Sequence, residues 1–231
     1  MWPEGLSETS VFKGTVALAW VNRYSGIFVR TSSNTILFDP VDVRVNDVKE
    51  ADAIVVTHEH PDHFDPELVS ALYRSIGATI ITSPFVADEI RNVPSHKVRA
   101  LRAGESIVVG ASELYAERSD HPRNQPLTFV VTTKDGVAIY HSSDSRPFSN
   151  MSRIGEKYRP AIALCTVGIG PGASPSSGAQ TAKLVRPKVA IPYHTDQKRA
   201  LSEFVEILKR EEPTVKTKVL ERFEVYRYPE R

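Results

Sequence analysis

Apolar positions in this chain come in short runs broken by turn residues, and the runs switch between two periods. Residues 14–20, 26–31 and 35–38 are short and largely apolar or β-branched, and read as three strands of a meander. Asp39-Pro40 ends the third. Ala53-Ile54-Val55-Val56 is a fourth run of the same kind, read as a buried strand. After it the pattern becomes helical. Asp65 is placed as an N-cap, Pro66 opens the helix, Glu67 puts an acid in the first turn, and Gly77 stops a helix over 66–75. Residues 78–82 read as a strand and 84–91 as a short helix. A second series of strands follows at 98–102, 106–109, 114–118, 127–133 and 137–140, with Asp135-Gly136 as a hairpin signal. Residues 161–167 read as a buried strand, 179–185 as a helix, 188–192 as a strand, 196–209 as a helix, and 217–226 as a terminal strand or two. Strands interleaved with helices place the chain in the mixed α/β class, and periodicity alone goes no further.

Between the fourth run and its helix lies Thr57-His58-Glu59-His60-Pro61-Asp62-His63-Phe64, a loop at the C-terminal end of a strand. Open α/β sheets place ligands and chemistry at such ends. Imidazole and carboxylate together suit zinc and other first-row metals. On a tight loop His58 and His60 can point one way while Asp62 and His63 point towards a second place. A catalytic metal needs more ligands than either pair supplies. His121, Asp144 and His194 each directly follow an extended apolar or alternating run, so each is a candidate from a strand end.

The order His58-Glu59-His60-Pro61-Asp62-His63, then His121, Asp144 and His194, resembles the metallo-β-lactamase superfamily. More narrowly it resembles the compact bacterial and archaeal branch that includes ascorbate-6-phosphate lactonase-like proteins. The phrases Asn34-Thr35-Ile36-Leu37-Phe38-Asp39-Pro40, Ile139-Tyr140-His141-Ser142-Ser143-Asp144-Ser145 and Arg186-Pro187-Lys188-Val189-Ala190-Ile191-Pro192-Tyr193-His194 resemble landmarks of that branch. The resemblance implies a four-layer αββα sandwich, taken as a single domain over 1–231. It implies two divalent metal ions, zinc first and manganese as the alternative. His58, His60 and His121 would hold one, Asp62, His63 and His194 the other, and Asp144 would bridge. A hydroxide between the ions would attack a carbonyl or phosphorus, with Asp62 able to orient or accept its proton. Relatives often carry a histidine near Asn22 and a glycine at Ser143; this chain departs at both.

The neighbours of these residues admit two readings each. Asp39 is a turn former or a support behind the ligands, and His141 supports a ligand or is simply buried. Arg146 is a solvated arginine or holds an anionic substrate group at the mouth of the site. Glu59 reads as solvated, His96 as exposed, and Cys165 as a small core residue. Residues 168–178, rich in glycine, serine and proline, lack the lysine of a phosphate-binding loop and read as a loop over the metals.

Charge and cysteine content narrow the function. Among 231 residues, 29 Lys and Arg nearly balance 28 Asp and Glu, so no bulk charge draws the protein to nucleic acid or anionic membrane. A single cysteine permits no internal disulfide. Met1-Trp2-Pro3-Glu4-Gly5 lacks the regions of a signal peptide, and no apolar run is long enough to span a bilayer, so a cytoplasmic protein is expected. The expected function is hydrolysis of a small ester or lactone, possibly phosphorylated. A phosphodiesterase or nuclease, and a non-catalytic metal-binding protein, are the alternatives. No large insert between Asp144 and His194 is available to clamp nucleic acid, and little chain follows His194 to form a helical substrate domain. A small-molecule partner is expected, and relatives suggest a homo-oligomer.

Overall fold

In a computed structural model of the chain, residues 11–230 are described; the stretch Met1 to Gly5, read above for a leader, lies outside them. The strands are β1 (Val16–Trp20), β2 (Ile27–Arg30), β3 (Thr35–Phe38), β4 (Ala53–Val55), β5 (Thr79–Thr82), β6 (Val98–Ala100) and β7 (Ser106–Val109). They continue with β8 (Ser112–Arg118), β9 (Leu127–Thr132), β10 (Ala138–His141), β11 (Ile162–Thr166), β12 (Val189–Tyr193), β13 (Lys216–Thr217) and β14 (Val225–Tyr228). The α-helices are α1 (Pro66–Ile76), α2 (Pro84–Ala87), α3 (Met151–Tyr158), α4 (Pro175–Val185) and α5 (Lys198–Glu211).

Two seven-stranded sheets form, in the orders β14-β1-β2-β3-β4-β5-β6 and β13-β12-β11-β10-β9-β8-β7. Each joins an antiparallel meander to a parallel half. β1 to β3 are antiparallel and β3 to β6 parallel. β7 to β10 are antiparallel and β10 to β13 parallel. Successive side chains in a strand alternate faces. Leu18, Trp20, Val29, Ile36, Phe38 and Val55 therefore meet Leu114, Phe129, Ile139, Leu164 and Ile191 between the sheets. On the outer face of the first sheet, Phe28, Leu37 and Ile54 pack under Val69 and Leu72 of α1. Tyr140, Ala163 and Cys165 pack under α3, α4 and α5. The order of layers is helix, sheet, sheet, helix, the sandwich expected from the resemblance. Both faces of the central strands are covered, which is why β1 to β5 and β9 to β12 are largely continuous apolar runs, while β6, β7 and β8 at or beside the sheet edges expose or alternate polar positions. Each fully buried Val, Ile or Phe contributes roughly 1.5–3 kcal/mol.

Local signals worked where they were local. Asp65 accepts a hydrogen bond from Leu68 N, Pro66 opens α1, and Gly77 closes it with φ 68°. The expected short helix at 84–91 is only Pro84–Ala87. α4 starts four residues earlier than expected, at Pro175, with Ser174 and Ser177 forming a reciprocal cap. No element was expected at α3, whose Gly155 argues against a helix on propensity. Packing against α4 overrides this: a Cβ on Gly155 would lie 2.3 Å from Val185 O. The terminal stretch divides between sheets, with β13 beside β12 and β14 crossing to pair antiparallel with β1.

Candidate metal centre

β8, β10, β11 and β12 run in one direction, because β8 and β10 are both antiparallel to β9 and β11 and β12 are parallel to β10. Their C-terminal ends share one edge of the sandwich. His121 follows β8, Asp144 follows β10 and His194 follows β12. The 57–65 loop after β4 meets them from the other sheet, joined by Leu127 N donating to Thr57 O at 3.1 Å.

All seven sequence candidates converge there. Among the described residues, His58, His60, His121 and Asp144 form one group of possible ligands and Asp62, His63 and His194 a second. His60 Nδ1 lies 2.9 Å from His58 Nε2 and 3.1 Å from His121 Nε2. Asp62 Oδ2 lies 3.4 Å from His194 Nε2 and 3.8 Å from His63 Nε2. Asp144 spans the groups, with Oδ2 4.0 Å from His58 Nε2 and Oδ1 3.3 Å from His63 Nε2. His58, His63 and His194 are fully buried, while His60 and Asp62 reach the surface of the cleft.

The polar atoms are crowded without being paired. His63 Nε2, both ring nitrogens of His194 and both oxygens of Asp144 are buried without a hydrogen-bond partner. Asp144 Oδ1 approaches His194 Nδ1 to 2.8 Å, but without hydrogen-bond angles. Leaving one such atom unsatisfied costs about 1–3 kcal/mol. Five converging on one place are unfavourable for a closed protein core and favourable around cations. The donor set of imidazole and carboxylate fits divalent first-row metals.

The electrostatics differ between the groups. Burial holds His58, His60 and His121 below the ordinary imidazole range, so they are neutral and carry free lone pairs. Burial also depresses His63, but Asp144 and Asp39 outweigh it and push the imidazole up to about 10. His194 is raised likewise, burial being overcome by Asp144 and Asp62. Burial works against ionisation of Asp144, yet His63 and His194 hold its carboxyl well below the usual range. The field that favours a proton on His63 and His194 favours any cation in the same place.

Behind the ligands sits a layer that the sequence showed only in part. Asp39 is fully buried and accepts from His63 Nδ1 at 2.8 Å, Ser25 Oγ at 2.8 Å, Thr57 N at 2.8 Å and Thr57 Oγ1 at 2.9 Å. Of its two readings, support behind the ligands is the one seen. It fixes the His63 ring with Nε2 towards Asp62 and Asp144. His141 is buried against Phe38 with Nε2 3.1 Å from Ser25 O, away from both ligand groups. Ser143, where the resemblance led a glycine to be expected, takes φ 49°. Its hydroxyl donates to Thr57 Oγ1 at 2.9 Å, a contact glycine could not make. His194 itself has φ 65°, a strained value for a β-branched or bulky residue and uncommon for any non-glycine one. Ser25 had no signal in the sequence, because its link to His63 spans 38 positions.

The 168–178 loop does lie over the cluster. Ile169 N donates to His194 O at 2.9 Å. Gly170 has φ 113°, and a Cβ there would lie 2.8 Å from Asp144 Oδ2. Glu59, read as solvated, instead accepts from Asn124 N at 3.0 Å and Asn124 Nδ2 at 3.1 Å. Arg146 is exposed and pairs with Asp120 at 3.2 Å, tying down the loop that carries His121. His96 is exposed in the turn Ser95–Lys97, and Cys165 is buried with its thiol pushed up by burial. No helix among the described residues is long and apolar enough to cross a membrane.

Comparison with known proteins gives concordant matches. A domain described as the beta-lactamase superfamily domain matches residues 21–205. A UPF0173 metal-dependent hydrolase of Staphylothermus marinus is 32% identical over 214 residues, 86% of this chain and 91% of that protein. A UPF0173 metal-dependent hydrolase of Rubrobacter xylanophilus is 30% identical over 159 residues, 64% of this chain and 65%, just under two thirds, of that protein. Among solved structures, Igni18, a metallo hydrolase of the archaeon Ignicoccus hospitalis, superposes with a TM-score of 0.79 at 22% identity, covering 94% of this chain and all of that one.

Proposed function

The chain belongs to the beta-lactamase superfamily, and from that premise we propose that it is a metal-dependent hydrolase acting on a small ester or lactone, possibly phosphorylated. The observation that carries the reading is Asp144, a buried carboxylate lying between two ligand groups with neither oxygen hydrogen-bonded. His58, His60 and His121 would hold one divalent ion and Asp62, His63 and His194 another, with Asp144 shared. Two such ions, zinc first and manganese as the alternative, would supply Lewis acidity and lower the pKa of a bound water toward neutrality.

The chain's own residues define the rest. Asp62 is the partly exposed carboxylate of the cluster; burial works against its ionisation, but the nearby His194 and His63 hold its carboxyl below the usual range. It is therefore the group placed to orient a proton at the cleft and accept it. Asp39 holds His63, and Ser143 and Thr57 line the back of His58. The Gly170 backbone covers Asp144 and limits water on that side. The near balance of charge supports a small substrate over nucleic acid.

The test is metal content and turnover on protein purified without chelator, against a lactone panel and a chromogenic phosphodiester. Two metals per chain with turnover of lactones or esters alone is the expected result. Turnover of the phosphodiester alone would replace the substrate class. Asp144→Ala should lower bound metal and abolish hydrolysis with the fold intact; full activity in that variant would overturn the site.

A further inference from the structure

Arg123 stands two residues after His121, in the loop between β8 and β9, with its guanidinium Nε against Nε2 of His60. The loop is pinned to the metal loop in several places. Leu127 N donates to Thr57 O at 3.1 Å and Glu59 accepts from both nitrogens of Asn124 at 3.0 and 3.1 Å, while within the loop itself Arg123 N donates to His121 O at 2.8 Å. The position of Arg123 at the lip of the cleft is therefore set by the same motif that carries the ligands.

Its charge is not matched. Arg146 has Asp120 and Arg23 has Asp42, while Arg123 has no carboxylate partner among the described residues. His60 presents Nδ1 to His58 and His121, so Nδ1 is the nitrogen on the metal side. A neutral imidazole that ligates through Nδ1 carries its proton on Nε2, where it can no longer accept from Arg123. The guanidinium then has five donors and no side-chain acceptor among the described residues, beside ligand groups that would hold cations. An anion entering the cleft relieves both conditions.

Building on the metal-dependent reading above, we propose that Arg123 is a specificity residue that binds an oxyanion, carboxylate or phosphate, carried by the substrate beside the scissile group. Arginine suits this role because its planar fork engages two oxygens at once. Arg146, the arginine suggested by sequence, is engaged by Asp120 and lies under Gly172, where an added Cβ would meet its Cδ at 2.9 Å.

The experiment uses the full-length, metal-loaded protein and its Arg123→Ala and Arg123→Lys variants. Metal content is measured first, then the affinity for inorganic phosphate and separately for acetate by calorimetry. A neutral aryl ester and a matched ester bearing a carboxylate are compared in parallel. In Arg123→Ala, oxyanion binding is expected to weaken about tenfold to a hundredfold, the loss of a charge-assisted contact, with metal content unchanged. Arg123→Lys should recover part of it. KM should rise for the anionic ester alone, with kcat and the neutral ester little changed. Phosphate and acetate affected equally would assign a general oxyanion site, and phosphate alone a phosphate ester. Equal affinities in wild type and Arg123→Ala at equal metal content would overturn the inference. Absence of metal from the wild type would overturn the reading beneath it as well.

Discussion

Replacing Asp39 by asparagine keeps the size of the side chain and removes one acceptor. The wild-type carboxylate receives four hydrogen bonds, Thr57 N on Oδ1 and Ser25 Oγ, Thr57 Oγ1 and His63 Nδ1 on Oδ2. An asparagine can serve Thr57 N only with its oxygen, so its amide must face the other three. The two hydroxyls can turn and accept. The His63 N–H cannot. Either His63 loses a charge-assisted bond worth about 1.5–3 kcal/mol, or its proton moves to Nε2. That nitrogen faces Asp144 at 3.3 Å and Asp62 at 3.8 Å, and a proton there closes it to a metal. Losing a buried partner behind a ligating histidine typically costs tenfold to a hundredfold in affinity, or about 1.4–2.8 kcal/mol; the two routes agree. The assay is competition for zinc between metal-free protein and a chromogenic chelator, on wild type and Asp39→Asn. One of two equivalents should weaken by that factor and the other much less, because His58, His60 and His121 do not touch Asp39. Two equivalents unchanged within about twofold, in a variant that folds, would refute the reasoning.

Two further expectations concern residues outside the ligand sets. Burial depresses His141 to about 4, below the unfolded value near 6.5. The unfolded chain therefore binds the extra proton, and stability falls as pH drops from about 6.5 towards 4. Metal-free wild type should lose on the order of 3 kcal/mol more than His141→Gln between pH 7 and 4, by urea unfolding; parallel curves would refute this. Gly170→Ala places a methyl 2.8 Å from Asp144 Oδ2 at a backbone angle that disfavours alanine. Turnover or metal affinity should fall at least about tenfold, with overpacking costing roughly 1–3 kcal/mol; unchanged kinetics and metal content would show that the loop moves aside freely.

Much of this protein is legible residue by residue. The central strands announce themselves as apolar, largely β-branched runs because both of their faces are covered. α1 is legible because cap, Pro66 and Gly77 lie within one short segment. The seven proposed ligands could be listed in order because each follows a strand, and strand ends are local events in the sequence. α3 was illegible because its formation depends on a backbone approach between Gly155 and Val185 that no local propensity records. The division of the terminal strands between two sheets depends on pairings far along the chain. The layer behind the ligands is of the same kind. Ser25 and Asp39 meet His63 from positions 38 and 24 residues away, and Ser143 reaches Thr57 across 86. The choice of Arg123 over Arg146 turns on which guanidinium already has a carboxylate, and only the folded chain decides that. Residue types and strand ends determine which chemistry the chain can hold. Packing of two sheets face to face decides which atoms meet, because hydrogen bonds and charge pairs depend on distances between residues that the sequence leaves far apart.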